Sequence, residues 1–128
     1  IELNSWRKLK FSHPRITQFI GSSTDPEIIN IIIPKGKVMV ILDSDHSKQH
    51  VIRELELYSS LVTTGCYLII EDTNIGIYDK KFWDWRDKRK LNGPLAALKE
   101  FNLIDFKPDD QIEEFYLTMS HNGYWVKT

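Results

Sequence analysis

The sequence predicts an α/β fold built on a parallel sheet. Two short apolar runs, Val38–Leu42 and Cys66–Ile70, each end abruptly in acidic groups, Asp43-Ser44-Asp45 and Glu71-Asp72. Between them residues 47–62 read as an amphipathic helix, so the three segments form a β-α-β unit. Neither run alternates polar with apolar residues, the pattern of strands covered on both faces, as parallel strands usually are. Ligands of open parallel sheets bind beyond the carboxyl ends of the strands, and both runs deliver their carboxylates there.

The size and composition fit one domain over residues 1–128: 41% hydrophobic and 27% charged residues suit a soluble globular chain with a real core. A net charge of -1 gives no electrostatic reason to expect nucleic acid or an anionic membrane surface as partner. No apolar run reaches the roughly 18 residues of a membrane span. Cys66 is the only cysteine. That excludes a disulfide framework and Cys-based zinc sites, and it points to an intracellular, cytoplasmic setting. No signal-peptide pattern is visible, and the chain opens on Ile1 without Met, so an N-terminally incomplete domain is expected.

Each element has its own cause. Ile1–Asn4 reads as the tail of a strand. Arg15–Ile20 alternates and carries β-branched residues, which predicts a strand ending at the turn Gly21–Thr24. Asp25 or Thr24 as N-cap, with Pro26 at the first helical position, opens a short helix through Ile28, Ile29, Ile31 and Ile32. In the helix of the β-α-β unit Val51, Leu55, Tyr58 and Val62 recur at helical spacing, while Lys48, Glu54 and Glu56 are expected to face outward. Thr63-Thr64-Gly65 ends it, glycine suiting a left-handed stop. From 73 to 92 aromatic and basic residues interleave without clean periodicity, either as a lid carrying Phe82, Trp83 and Trp85 or as a surface helix packed on the sheet. Gly93-Pro94 opens a last helix over Leu95–Phe101, and Phe115–Met119 with Tyr124–Lys127 form a terminal antiparallel hairpin.

The strand ends carry the chemistry. Strands 38–42 and 66–70 place their ends about 5 Å apart as sheet neighbours, or twice that with one strand between. Asp43, Glu71 and Asp72 converging there would repel unless a cation joined them, and oxygen-only donors favour a hard ion such as Mg²⁺. The structural alternative is capping at strand-to-helix turns, where Asp is common. His46, three residues after Asp43, can take a proton near neutral pH. His46 and His50 also make an H-x-x-x-H pair, although the gap lacks the glutamate of the zinc motif H-E-x-x-H. Asp43-Ser-Asp45 is a D-x-D sequence of the kind nucleotide-sugar glycosyltransferases use to hold Mn²⁺.

Three blocks together, Ile41-Leu-Asp-Ser-Asp-His-Ser47, His50-Val-Ile-Arg-Glu-Leu-Glu-Leu-Tyr58 and Gly65-Cys-Tyr-Leu-Ile-Ile-Glu-Asp-Thr73, resemble the cephalosporin hydroxylase family. Gly21-Ser-Ser-Thr-Asp-Pro26, Gly93-Pro-Leu95 and Asn122-Gly-Tyr124 match its pattern as well, so the likeness runs over most of residues 15–128. Despite its name, that family is built like the S-adenosylmethionine- and Mg²⁺-dependent O-methyltransferases, including those acting on macrolide sugars and rhamnose. The resemblance implies a Rossmann-like class I methyltransferase sheet, mostly parallel, with a C-terminal antiparallel hairpin. The first strand and its glycine-rich, methionine-contacting turn have no counterpart here.

By position, the resemblance makes Asp43, Glu71 and Asp72 the metal ligands and His46 the general base. Gly21, Ser22 and Ser23 match the adenine-contacting turn, Asp43 also borders the cofactor, and Glu2 stands where an acid holds the ribose hydroxyls. The implied acceptor is a hydroxyl of a small molecule or sugar, in antibiotic or polysaccharide biosynthesis, and a homo-oligomer is left open. A D-x-D glycosyltransferase and a non-catalytic, degenerate methyltransferase-like domain are the competing expectations.

Overall fold

The computed structural model describes residues 13–32, 34–76, 93–112 and 118–128. Among these residues three helices and four strands follow one another: α1 Pro26–Ile31, β1 Val40–Leu42, α2 Lys48–Tyr58, β2 Tyr67–Ile70, α3 Pro94–Glu100, β3 Phe106–Pro108 and β4 Tyr124–Lys127. Single 3₁₀ turns occupy Ser59–Leu61 and Thr73–Gly76. The strands make one open four-stranded sheet in the order β1-β2-β4-β3.

β1 and β2 are direct parallel neighbours, Val40 opposite Leu68 and Leu42 opposite Ile70, with α2 as the crossover the sequence predicts. Of the three pairings only this one is parallel; β4 runs antiparallel to both β2 and β3. Among the described residues the sheet is therefore mixed rather than mostly parallel.

α2 supplies the core because Val51, Leu55 and Tyr58 share a face that lies on the sheet. Together with Leu42, Val62, Leu68, Ile70 and Ala97 of α3 they form the buried apolar cluster. An ion pair from Lys48 to Glu100 ties the start of α2 to the end of α3. α1 begins as its sequence dictates, with the Asp25 side chain accepting from the Glu27 N–H at 2.9 Å and Pro26 in the first turn.

Several expectations need correction. Arg15–Ile20 does not form a strand beyond an isolated bridge at Ile20, and Ile16 and Ile20 stay exposed. Strand propensity expresses packing against a neighbour more than a backbone preference, and 13–19 find none among the described residues. β1 alternates in burial, Leu42 at 6% and Ile41 at 50% exposure, so the described residues cover one face of it only. Glu54 faces inward, at 2% exposure. Gly65 has the positive φ of 79°, but it turns the chain into β2, the helix having stopped a full turn earlier. β4 finds its partners in β2 and in β3, a strand the sequence reading did not contain. Of the predicted hairpin arm, 113–117 lie outside the described residues and Thr118 and Met119 are not in a strand. Residues 1–12, with Glu2, and 77–92, with Phe82, Trp83 and Trp85, also lie outside them.

One glycine is required sterically. A Cβ on Gly123 would run into the backbone carbonyl oxygen of Ile70 and lie 2.7 Å from that of Ser120. Those atoms cannot move cheaply, because Gly123 itself accepts from the Ile70 N–H at 2.9 Å and anchors the entry to β4. Gly123→Ala is expected to cost about 3 kcal/mol of stability, a fall in melting temperature of roughly 10 °C. An unchanged melting temperature by calorimetry would show that the turn relaxes freely.

Candidate functional site

β1 and β2 end side by side. The Glu71 N–H donates to the Leu42 carbonyl at 3.0 Å, so Asp43 and Glu71 leave the sheet together. The next residue, Asp72, adopts a left-handed backbone with φ 53°. Asp tolerates that region better than most residues, and such conformations collect at functional sites. Behind it Thr73 is fully buried, its hydroxyl donating to the His121 carbonyl, which pins this turn to the loop before β4.

The loop Asp43–Ser47 leads from β1 into α2. Asp45 Oδ1 accepts from the Ser47 N–H at 2.7 Å, closing a tight turn at the helix start. That turn lays His46 back over the strand ends. Its Nε2 is 3.4 Å from Asp43 Oδ1 and its Nδ1 is 3.7 Å from Asp72 Oδ2. These separations are longer than well-formed hydrogen bonds, and the contacts become ion pairs only when the imidazole is protonated. Nε2 is shielded from solvent and makes no hydrogen bond.

The structure thus brings together Asp43, His46 and Asp72. Glu71 emerges beside Asp43 and is half-buried. The donor chemistry of Asp43, Glu71 and Asp72, all carboxylate oxygens, fits a hard cation. As placed, no three His, Cys, Asp or Glu side chains among the described residues close around a metal-sized point. The H-x-x-x-H pair is split: His50 turns away to Ser23, Ser44 and Glu54. The D-x-D acids diverge in role, since Asp45 organises the turn.

The turn at Gly21–Thr24 stands next to this loop. Ser23 and Asp43 both line a cavity of about 290 Å³ whose other walls are Val40, Ile41, Leu42, Ser44, Glu54 and Tyr58. Ser22 is occupied locally, its hydroxyl sharing a 2.8 Å hydrogen bond with that of Thr24. Gly21 needs no special space, because a Cβ there would meet Ile28 at an ordinary 3.6 Å. Of the three turn residues expected to touch a cofactor, only Ser23 lines the cavity.

Sequence reading missed Ser44, His50, Glu54 and Tyr58 as site residues. Nε2 of His50 is 2.9 Å from Ser23 Oγ and 3.0 Å from Ser44 Oγ. Ser44 donates to Glu54 Oε1 at 2.7 Å, and the Tyr58 hydroxyl donates to the Ser23 carbonyl at 2.6 Å. Burial, then the Glu54 and Asp25 charges, raise the Tyr58 phenol above its ordinary range, which keeps it a donor at neutral pH. The signal was available: 50, 54 and 58 fall four apart, on one helix face.

A mixed α/β sheet with acids and an imidazole at its carboxyl edge is the arrangement at which open α/β sheets generally place their ligands. Comparison with known proteins makes this specific. The model of the family Rhamnosyl O-methyltransferase/CmcI matches residues 3–128, and the chain belongs to that family. Rhamnosyl O-methyltransferase of Mycobacterium tuberculosis (strain ATCC 25618 / H37Rv) is 48% identical over an alignment of 118 residues that covers 84% of this chain and 45% of that protein. The protein of the same name from Mycobacterium leprae (strain TN) is 50% identical over an alignment of 96 residues that covers 72% of this chain and 39% of that one. The chain spans less than half the length of these relatives. No solved structure gives a significant match. No helix among the described residues is long and apolar enough to cross a membrane.

Proposed function

We propose that the protein is an S-adenosylmethionine- and Mg²⁺-dependent O-methyltransferase acting on a sugar hydroxyl. The observation that carries this reading is His46, held between Asp43 and Asp72 at the carboxyl edge of the sheet, with Nε2 free of hydrogen bonds. Family membership and relatives named for rhamnosyl O-methylation support the reaction class and the sugar acceptor.

Asp43, Glu71 and Asp72 are the residues that would hold Mg²⁺, which when bound supplies Lewis-acid polarisation of the acceptor hydroxyl. Each of Asp43 and Asp72 turns one oxygen toward the imidazole and keeps a second for other work. His46 accepts the hydroxyl proton on its imidazole. The positive charge the ring then carries is met on both sides by a carboxylate, and the fixed geometry needs no rearrangement to meet it. Ser23 and Asp43, both in the cavity wall, are proposed to hold the methyl donor together with Gly21, Ser22 and Glu2.

The test is a thermal-shift series with S-adenosylmethionine, S-adenosylhomocysteine and a nucleotide diphosphate sugar, each with and without Mg²⁺. The two S-adenosyl compounds are expected to raise the melting temperature and the nucleotide sugar to leave it unchanged. A response to the nucleotide sugar alone would replace the reading with glycosyl transfer. No response to any of them would point to a non-catalytic domain.

A further inference from the structure

We infer that His50, Glu54 and Tyr58 form a positioning stripe on α2 that locks the turn Gly21–Thr24 to the acidic loop Asp43–His46, so that both halves of the proposed site move as one. The roles given to the two loops rest on the O-methyltransferase reading; the coupling between them is a physical claim that does not.

The three side chains share one face of α2 and reach both loops at once. His50 Nε2 lies within 3.0 Å of a serine from each loop, and the two hydroxyls are themselves 3.3 Å apart. Tyr58 holds the same turn by its backbone, at the Ser23 carbonyl. Proton counting fixes the junction. Ser44 has one hydroxyl proton and gives it to Glu54 Oε1 at 2.7 Å, so toward His50 and Ser23 it can only accept. With Nε2 protonated, His50 donates to Ser44; with Nε2 bare, it accepts from Ser23. With Nε2 bare, that nitrogen and the Ser44 oxygen would meet as two acceptors 3.0 Å apart, so the Nε2–H tautomer is the one that satisfies the junction with Ser44 aimed at Glu54.

Ser44 sits between Asp43 and Asp45 and two residues before His46, so its direction sets theirs. A carboxylate and an imidazole turned into the protein, Glu54 at 2% exposure, are costly choices for a helix face that leucine would fill more stably. Their polarity is explained if the loops must be held in register and not merely covered. His50 is absent from the cavity wall, so it reaches a bound ligand only through the wall residues it touches, Ser23 and Ser44 of the two loops and Glu54 of α2.

The experiment compares Ser44→Ala, His50→Leu and His50→Gln with the unaltered full chain. Nitrogen-15 NMR reads the His46 imidazole, and calorimetric titration reads S-adenosylhomocysteine binding. In Ser44→Ala and His50→Leu the His46 ring signals are expected to move, and the affinity to fall about tenfold. His50→Gln, whose amide reaches the Nε2 position, should return both toward normal. A stripe that merely packs the helix would lower the melting temperature and leave the His46 signals and the affinity where they were. That outcome in Ser44→Ala, which removes one oxygen and is the variant surest to fold, overturns the inference. If the unaltered protein binds no S-adenosylhomocysteine but the His46 signals still shift, the coupling stands and the methyltransferase reading fails.

Discussion

His46→Ala is expected to lower the rate of methyl transfer by about a thousandfold, the scale on which a general base contributes. Binding of S-adenosylhomocysteine and of Mg²⁺ should change little, because the imidazole contributes neither a cavity wall nor a carboxylate oxygen. Single-turnover kinetics with titrations of both ligands measure all three quantities. Joint loss of activity and Mg²⁺ affinity would make the ring a ligand or a structural strut instead of a base. Removing it also leaves Asp43 and Asp72 facing each other across the space it filled. Their mutual repulsion, softened by water at this partly open site, should therefore appear as a small loss of stability.

Asp43→Asn carries the second large effect. The residue stands at three proposed duties: metal ligand, cavity wall and counter-charge to Nε2. The amide keeps the shape and loses the charge. Activity should drop at least about a hundredfold, corresponding to several kcal/mol of lost metal-assisted stabilisation. The half-saturating Mg²⁺ concentration should rise with it, and excess Mg²⁺ should restore part of the rate. Full activity of Asp43→Asn in the presence of EDTA would end the case for a metal.

The β-α-β unit was legible because its signals are local and strong: apolar runs, an abrupt acidic end, a helical stripe of Val51, Leu55 and Tyr58. Even there the strand starts moved by one or two residues, and the helix stopped at Tyr58, four short of the expected Val62. β3 was not legible. Phe106-Lys107-Pro108 is three residues long, one of them a proline, which suits its place at the edge of the sheet formed by the described residues. Arg15–Ile20 failed for the opposite reason, having the pattern of a strand without a described neighbour to realise it.

Glu54 escapes a helical periodicity that is carried by apolar residues alone. Its position between 51, 55 and 58 puts it inside the core-facing arc whatever its chemistry. Within the site, Asp43 and His46 could be read from a strand end. Their meeting with Asp72 could be expected only on condition that the two strands are close in the sheet, and it depends as well on a single reversed backbone angle that the sequence does not announce.

That angle has a practical consequence for anyone scanning the site by saturation mutagenesis. At position 72 most replacements would fail twice over, through the lost carboxylate and through a main chain they cannot comfortably adopt, with β-branched residues worst. A catalogue of inactive variants there would overstate what the acid contributes. Asparagine, at home in the same twist, isolates the charge, and glycine isolates the side chain as a whole; the rest of the alphabet reports a mixture.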